Sequence, residues 1–328
     1  MTRRELLPVA AAAVALNVAA GLRYAFAQGS GRIARILVGF PPGGTSDVIA
    51  RLLAGAMRDY ASSIVVENRS GAGGRVAIEA LKTAAPDGSV LIVTPVAVMT
   101  LYPHVYKTLR YNPFQDFIPV TTVAAAPSLL TIGPKVPANI RTLPDFIAWC
   151  RANPKEANYG SPGAGSTPHF IGAQLARAAG FDYAHVPYQG NAPAAQDLLG
   201  GQIASSILTI DSLLPHVLAG SVRALATTGP QRSPFLPGVP TFTESGYPAL
   251  ESLDMWGVFV PARTIAEIVD KLNNAIQKAL NSNEVKSGLT RLSIEISAVS
   301  LADFARLMKS DFERSRMLVQ ASGFTPQD

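Results

Sequence analysis

The chain has 328 residues, 48% hydrophobic and 16% charged, with 27 Gly and 25 Pro spread along its length. That balance excludes disorder, coiled coil and collagen, and it supplies apolar material for two domains. The net charge is +5, but no basic run is longer than Arg3-Arg4, so nucleic acid is not an expected partner.

Residues 1–27 read as a signal peptide. Arg3-Arg4 is a basic start, 6–22 is an Ala-rich apolar stretch, and Ala25-Phe26-Ala27 offers a small-x-small cleavage pattern. The paired arginines suit twin-arginine export, and the general secretory route fits equally. Asn17, Gly21 and Arg23 interrupt the stretch, which argues against a membrane anchor. Loss of the leader lowers the net charge to +3, and the mature chain is expected in the periplasm.

Residues 36–40 form a continuous apolar run, as expected of a strand buried on both faces. Pro41-Pro42-Gly43-Gly44 ends it, and Thr45, Ser46 and Asp47 are good helix-capping types. Val48, Ile49, Leu52, Leu53 and Ala56 then share one helical face. The unit repeats, with a strand at 64–66, a Gly-rich loop at 70–74, a helix at 75–84 and a strand at 90–93. After a proline-punctuated stretch at 126–144, a helix is predicted at 145–152. It holds the single cysteine, Cys150, which excludes an internal disulfide or a Cys-based zinc site and reads as a buried inert thiol. A short strand begins at 158–160 and the loop 161–166 leads into a helix that ends at Ala179, with Gly180 as its C-cap. A strand edge at 185–188, a helix at 193–199, strands at 203–208, 222–227 and 256–260, and helices near 264–281 and 301–322 complete the chain. The alternation predicts parallel β/α units, helices on both sheet faces, and two lobes with a late return of the chain.

Enzyme signatures are absent: there is no P-loop, no G-x-S-x-G elbow and no H-E-x-x-H pair. His104, His169, His185 and His216 show no metal-ligand spacing, so neither a metal nor a cofactor is expected. Two loops stand out, 41–47 and 161–169, each rich in Gly and hydroxyl residues between a strand and a helix. Amides at such helix N-termini suit an anion, and ligands of α/β sheets bind beyond the carboxyl ends of strands. Each loop alone is equally an ordinary β–α connection. Together they suggest the two jaws of a cleft. Thr94 and Trp256 enter the candidate set only as strand ends near it.

Several segments resemble the Bug/TctC extracytoplasmic solute receptors of tripartite tricarboxylate transporters. They are Val38-Gly39-Phe40-Pro41-Pro42-Gly43-Gly44-Thr45-Ser46-Asp47, Val66-Glu67-Asn68-Arg69-Ser70-Gly71-Ala72-Gly73-Gly74, Ala85-Pro86-Asp87-Gly88 and Tyr111-Asn112-Pro113-Phe114-Gln115-Asp116-Phe117. His185-Val186-Pro187-Tyr188, Asp197-Leu198-Leu199-Gly200-Gly201-Gln202, Leu214-Pro215-His216, Arg223-Ala224-Leu225-Ala226 and Arg232-Ser233-Pro234 continue the likeness in order. The resemblance implies a type II periplasmic-binding-protein-like α/β fold, with lobe 1 formed by 28–125 and 253–328 and lobe 2 by 126–252. It also implies a monomeric receptor that captures a small organic carboxylate and hands it to membrane transporter subunits or a sensor protein. Carried over, its ligand contacts would be Pro42, Gly43, Gly44, Thr45 and Asp47 from one lobe and Gly163, Gly165, Ser166, Thr167 and His169 from the other. Asp47 fits a loop brace better than an anion contact, and His169 fits a packed cleft-edge residue equally well. Two departures, Gln189 and the pair Leu208-Thr209, bear on substrate. If Leu208 walls the cleft, it favours a plain or partly apolar acid over one bearing an ammonium group. An equal reading is that it finishes its strand in the core. A secreted α/β hydrolase or lyase is the alternative function, and a scaffold without a working pocket is a third.

Overall fold

The computed structural model describes residues 33–322 and 324–326; the expected leader lies outside them. The first sheet has six strands: β1 (Ile33–Val38), β2 (Ser63–Asn68), β3 (Val90–Pro95), β4 (Phe117–Ala126), β10 (Asp254–Pro261) and β11 (Glu295–Ile296), in the order β11-β4-β10-β3-β1-β2. The second has five: β5 (Ser128–Ile132), β6 (Asn158–Ser161), β7 (Ala184–Pro187), β8 (Ser205–Thr209) and β9 (Arg223–Thr227), ordered β7-β6-β8-β5-β9.

Alternate residues of each sheet feed layers on opposite faces. Ile36 and Val38 of β1 pack with Ile49 and Leu53 of helix α1 (Thr45–Ala56), whereas Leu37 packs with Ile78 and Leu81 of α2 (Arg75–Lys82). The buried positions of β1 are apolar on both sides of the sheet, as a strand between two helical layers requires. In the second sheet Leu129 and Leu208 join Leu198 on one face, and Leu130 and Ile207 join Phe146 on the other. Leu208 is therefore core, fully buried, and not a wall of the cleft.

The expected parallel β/α units are present, but the sheets as a whole are mixed. β1 is parallel to β2 and β3, and β6 to β7 and β8, but β5 and β10 run antiparallel to both their neighbours. These are the two strands that begin just after the chain crosses between sheets. One crossing is short, from Ala126 to Ser128, and the other runs from Thr227 to Asp254. The crossings touch: Asp254 pairs with Ala126, Ser128 N–H donates to Thr228 Oγ1 at 2.8 Å, and Ser252 N–H donates to Thr228 O at 2.8 Å. The sequence reading missed β4, β5 and the two-residue β11. Pro119 interrupts the run of β4, and the ladder with β10 shifts register there, where a missing N–H is tolerated.

The remaining helices that position the site are α3 (Ala97–Thr100), α4 (Tyr102–Val105), α5 (Leu143–Ala152), α6 (Thr167–Ala179), α7 (Asn191–Leu199) and α8 (Ile210–Leu218). Helices α9 (Ala266–Asn281), α10 (Asn283–Arg291) and α11 (Leu301–Ser322) cover the first sheet. Val269, Leu272, Ile276 and Leu280 give α9 one buried stripe. Cys150 of α5 is buried, and burial raises its thiol to about 12. Among the described residues no helix is long and apolar enough to cross a membrane.

Candidate functional site

A cavity lies between the sheets, lined by residues of both lobes. Three helices open on it with their N-termini. Gly44, Thr45 and Ser46 come from α1, Ser166 and Thr167 from α6, and Gly190, Asn191 and Ala192 from α7. First-turn amides have no intrahelical acceptor, so each end offers N–H groups and the positive pole of its helix. No Lys, Arg or His is among the described residues that line the cavity. An anion held here is held by backbone, hydroxyls and the Asn191 amide.

Asp47 builds the first jaw from behind. Its Oδ2 accepts from Gly43 N–H at 3.0 Å and from Arg51 Nε at 2.8 Å, and its Oδ1 accepts from Asn68 Nδ2 at 2.9 Å. Asn68 Nδ2 also donates to Phe40 O at 3.0 Å, so strand β2 is tied to the same loop. Burial pulls the Asp47 carboxyl upward, but the hydrogen bonds from Arg51, Gly43 and Asn68 outweigh it and hold it below the ordinary value. Asp47 thus braces its loop and does not face the cavity. Gly43 spends its N–H on Asp47 and, at φ 82°, shapes the turn. Pro42 is not on the cavity wall either, whereas Pro41 and Phe40 are.

The second jaw is built around Gly163 and Ser166. Ser161 Oγ and Ser166 Oγ both donate to Gly163 O, at 3.0 and 2.7 Å, and Ser166 caps α6 by accepting from His169 N–H at 3.4 Å. Gly165 N–H donates to His169 Nδ1 at 3.0 Å, and the His169 ring stacks on His185 with centroids 3.8 Å apart. His169 therefore braces its loop as Asp47 does, off the cavity. Burial lowers its imidazole to about 4; burial and then the neighbouring His169 lower His185 to about 3. Gly163 and Gly165 give the loop its shape and do not line the cavity. Gly165 sits at φ 74°, with Val105 Cγ1 only 2.3 Å from where a β-carbon would stand.

Between the jaws is a hydrogen-bonded cluster that joins the lobes. Thr45 Oγ1 donates to Asp211 Oδ2 at 2.6 Å, Asn191 Nδ2 donates to Thr209 Oγ1 at 2.6 Å, and the two threonine hydroxyls are 3.3 Å apart. Asn191 Oδ1 is buried without a partner, an acceptor left over in the cluster. On the far wall, Trp256 Nε1 donates to Ser46 Oγ at 2.9 Å, and Ser128 Oγ donates to Asp254 Oδ2 at 2.7 Å. Thr94 is fully buried in β3 behind this wall and does not reach the cavity; its neighbour Pro95 does. Gln189 lies on the cavity wall, as do Thr209 and Trp256. Sequence reasoning did not propose Tyr102, Asn191 or Asp254. The one available signal was the lone acid Asp254 at the head of an apolar strand.

A family model described as "Tripartite tricarboxylate transporter family receptor" matches residues 49–324. The chain belongs to this receptor family. It is similar to Protein BugT of Bordetella pertussis, 35% identical over 257 residues that cover 76% of this chain and 77% of BugT. A solved R. palustris structure with adipate is 31% identical, with a TM-score of 0.85, covering 90% of this chain and 99% of that one. MatC of Rhodopseudomonas palustris, with bound malate, is 30% identical with a TM-score of 0.80, covering 88% and 99%. The fold is accordingly the two-lobe α/β architecture of the periplasmic receptors. Within that family the jaws of this chain keep hydroxyls and amides on the cleft and place the ionisable side chains Asp47 and His169 behind it.

Proposed function

We propose that this protein is a periplasmic receptor that captures a small organic carboxylate between its lobes and delivers it to the membrane subunits of a tripartite tricarboxylate-type transporter, or presents it to a sensor protein. The observation that carries this reading is the convergence of three helix N-termini on a cavity without a basic side chain. Amides and helix dipoles there neutralise an anion while its desolvation stays modest. The carboxylate is held by Gly44, Thr45, Ser166, Thr167, Asn191 and Thr209. Pro42, Gly43, Asp47, Gly163, Gly165 and His169 act through the shape of their loops, and Thr94 supports the far wall from behind. Relatives whose solved structures hold adipate and malate support the ligand class. Export by residues 1–27, action as a monomer, and lobe boundaries at 125/126 and 252/253 belong to the same proposal; the strand membership of the two sheets supports the boundaries.

The protein does no chemistry on its ligand. Ser161 and His185 are 2.7 Å apart, the spacing of a nucleophile and its base. However, Ser161 is fully buried and lies off the cavity, so it is not poised to attack a ligand held there. A thermal-shift screen against adipate, malate, succinate and citrate tests the reading. At a hundred times its dissociation constant a bound acid adds about 2.7 kcal/mol, a shift of several degrees. Saturable stabilisation, with the acid recovered unchanged, supports the receptor. Turnover of the acid, or no response to any carboxylate, overturns it.

A further inference from the structure

The cluster between the jaws is short of a donor. Asp211 Oδ2 accepts from Thr45 Oγ1 at 2.6 Å. The residue keeps an edge on an outer groove, but its Oδ1 is sealed from solvent, with no hydrogen-bond partner among the described residues. Asn191 Oδ1 is a second sealed acceptor without a donor, because the Asn191 Nδ2 bonds go to threonine hydroxyls, Thr209 at 2.6 Å and Thr45 at 3.3 Å. Two orphan acceptors in one cluster leave their desolvation uncompensated, and one of them belongs to a carboxylate. A proton on Asp211 turns an orphan acceptor into a donor.

The charged groups on the elements packed around Asp211 do not take that proton's place. The described cavity wall holds no Lys, Arg or His. On α1, Arg51 is held by Asp47 and Asn68. From α7 come Asn191 and Gln196, both neutral. From β10 comes Asp254, a second acid, and the two carboxylates repel each other. His216, further along α8, shares the outer groove with Asp211 and is the competing site for a proton. Burial raises the Asp211 carboxyl; Thr209, Thr45, its own backbone amide and Ser212 pull it back without cancelling the rise.

A bound anion sharpens the imbalance. Thr45, Asn191 and Thr209, the proposed holders of the ligand carboxylate, are hydrogen-bonded to Asp211 or to one another. A second negative charge this close favours the neutral form of Asp211, as when two carboxylates share one site. Thr45 follows β1 of the first sheet and Asp211 follows β8 of the second, so their contact forms as the lobes come together. Resting on the receptor reading above, we infer that the protein takes up a proton together with its ligand, and that Asp211 is where the proton goes. It comes from solvent as the lobes close on the carboxylate and returns there when they open. Because the complex binds more protons than the free protein, capture strengthens as the medium acidifies and weakens as pH rises.

Calorimetric titration of the full chain with adipate and with malate, each in two buffers of different ionisation enthalpy, counts the protons bound. The expected result at pH 6 is uptake of about half a proton or more per ligand, with affinity falling up to about tenfold per pH unit where a full proton is taken up. Asp211→Asn keeps the side-chain shape but does not titrate, and should abolish the uptake and flatten the pH dependence. Asp254→Asn and His216→Gln should retain both. A second measurement needs no variant: in infrared difference spectra with carbon-13-labelled ligand, binding should bring up the carbonyl stretch of a protonated side-chain carboxyl. Binding without proton uptake overturns the inference and leaves the receptor reading intact. So does uptake that survives in Asp211→Asn, which places the proton on the ligand or another group, and so does uptake lost in Asp254→Asn or His216→Gln. Failure of both acids to bind, together with a flat screen of succinate and citrate, overturns the receptor reading and the inference with it.

Discussion

Asp47→Ala separates a brace from a ligand contact. Asp47 is 2% exposed and accepts hydrogen bonds from Gly43 N–H in its own loop and from Asn68 Nδ2 at the end of β2. Removing the carboxylate leaves both donors short of an acceptor, but Gly43 is exposed and Asn68 is half-buried and still donates to Phe40 O, so water offsets part of the loss and each costs about 0.5–1 kcal/mol. The Arg51 guanidinium is 55% exposed and adds little, because water replaces the lost pairing. The ligand-free protein should therefore lose about 1–2 kcal/mol, which corresponds to a fall in Tm of roughly 2–8 °C at a few degrees per kcal/mol. Asp47→Asn retains one acceptor oxygen and should lose less than half as much. Urea denaturation without ligand gives the number directly. The sign with pH follows from the depressed carboxyl: its contribution is complete above the ordinary value of 3.8 and disappears as pH falls through the lower folded value. Ligand-free stability within 0.5 kcal/mol of wild type, with binding abolished, would refute the brace and make Asp47 a direct contact.

Other outcomes follow from the same geometry. His169 and His185 are held near 4 and 3, below the ordinary 6.5, so the unfolded chain takes up their protons first. Their contribution is intact above pH 6.5 and is lost as pH falls toward 4 and then 3; urea midpoints across that range should shift less in His185→Asn, which does not titrate. Gly165→Ala places a side chain at φ 74° against Val105 and should destabilise by about 1–3 kcal/mol while weakening carboxylate binding; unchanged affinity would mean the loop does not shape the jaw. The Cys150 thiol, raised to about 12, should resist iodoacetamide at pH 8 in the folded protein and react once urea unfolds it.

Much of the architecture can be read from periodicity. Ile36 to Phe40 is apolar because both faces of β1 are covered, and Val269, Leu272, Ile276 and Leu280 mark one face of α9 whatever lies opposite. What periodicity does not carry is strand direction. The antiparallel insertion of β5 and β10 depends on where the chain crosses between sheets, and no local pattern in Ser128–Ile132 or Asp254–Pro261 records it. The site divides in the same way. The two Gly- and hydroxyl-rich loops stand out in sequence because helix N-termini next to strand ends need those residue types, and Ser166 and Thr45 do reach the cavity. Asp47 and His169 carry more recognisable chemistry but turn inward to hold those loops, a distinction set by the hydrogen bonds of Gly43 and Gly165. Asn191 and Asp254 become visible only when distant segments meet, Asn191 against Thr45 and Asp254 against Ser128.

What sets this receptor apart is a carboxylate bound by helix N-termini and hydroxyls with no basic side chain. A crystal structure of the protein with whichever acid gives the largest thermal shift tests it most directly. Carboxylate oxygens should lie within about 2.7–3.2 Å of amides or hydroxyls in the first turns of α1, α6 and α7, directly or through one ordered water. A carboxylate paired with a Lys or Arg, or bound outside the cavity between the sheets, would contradict it.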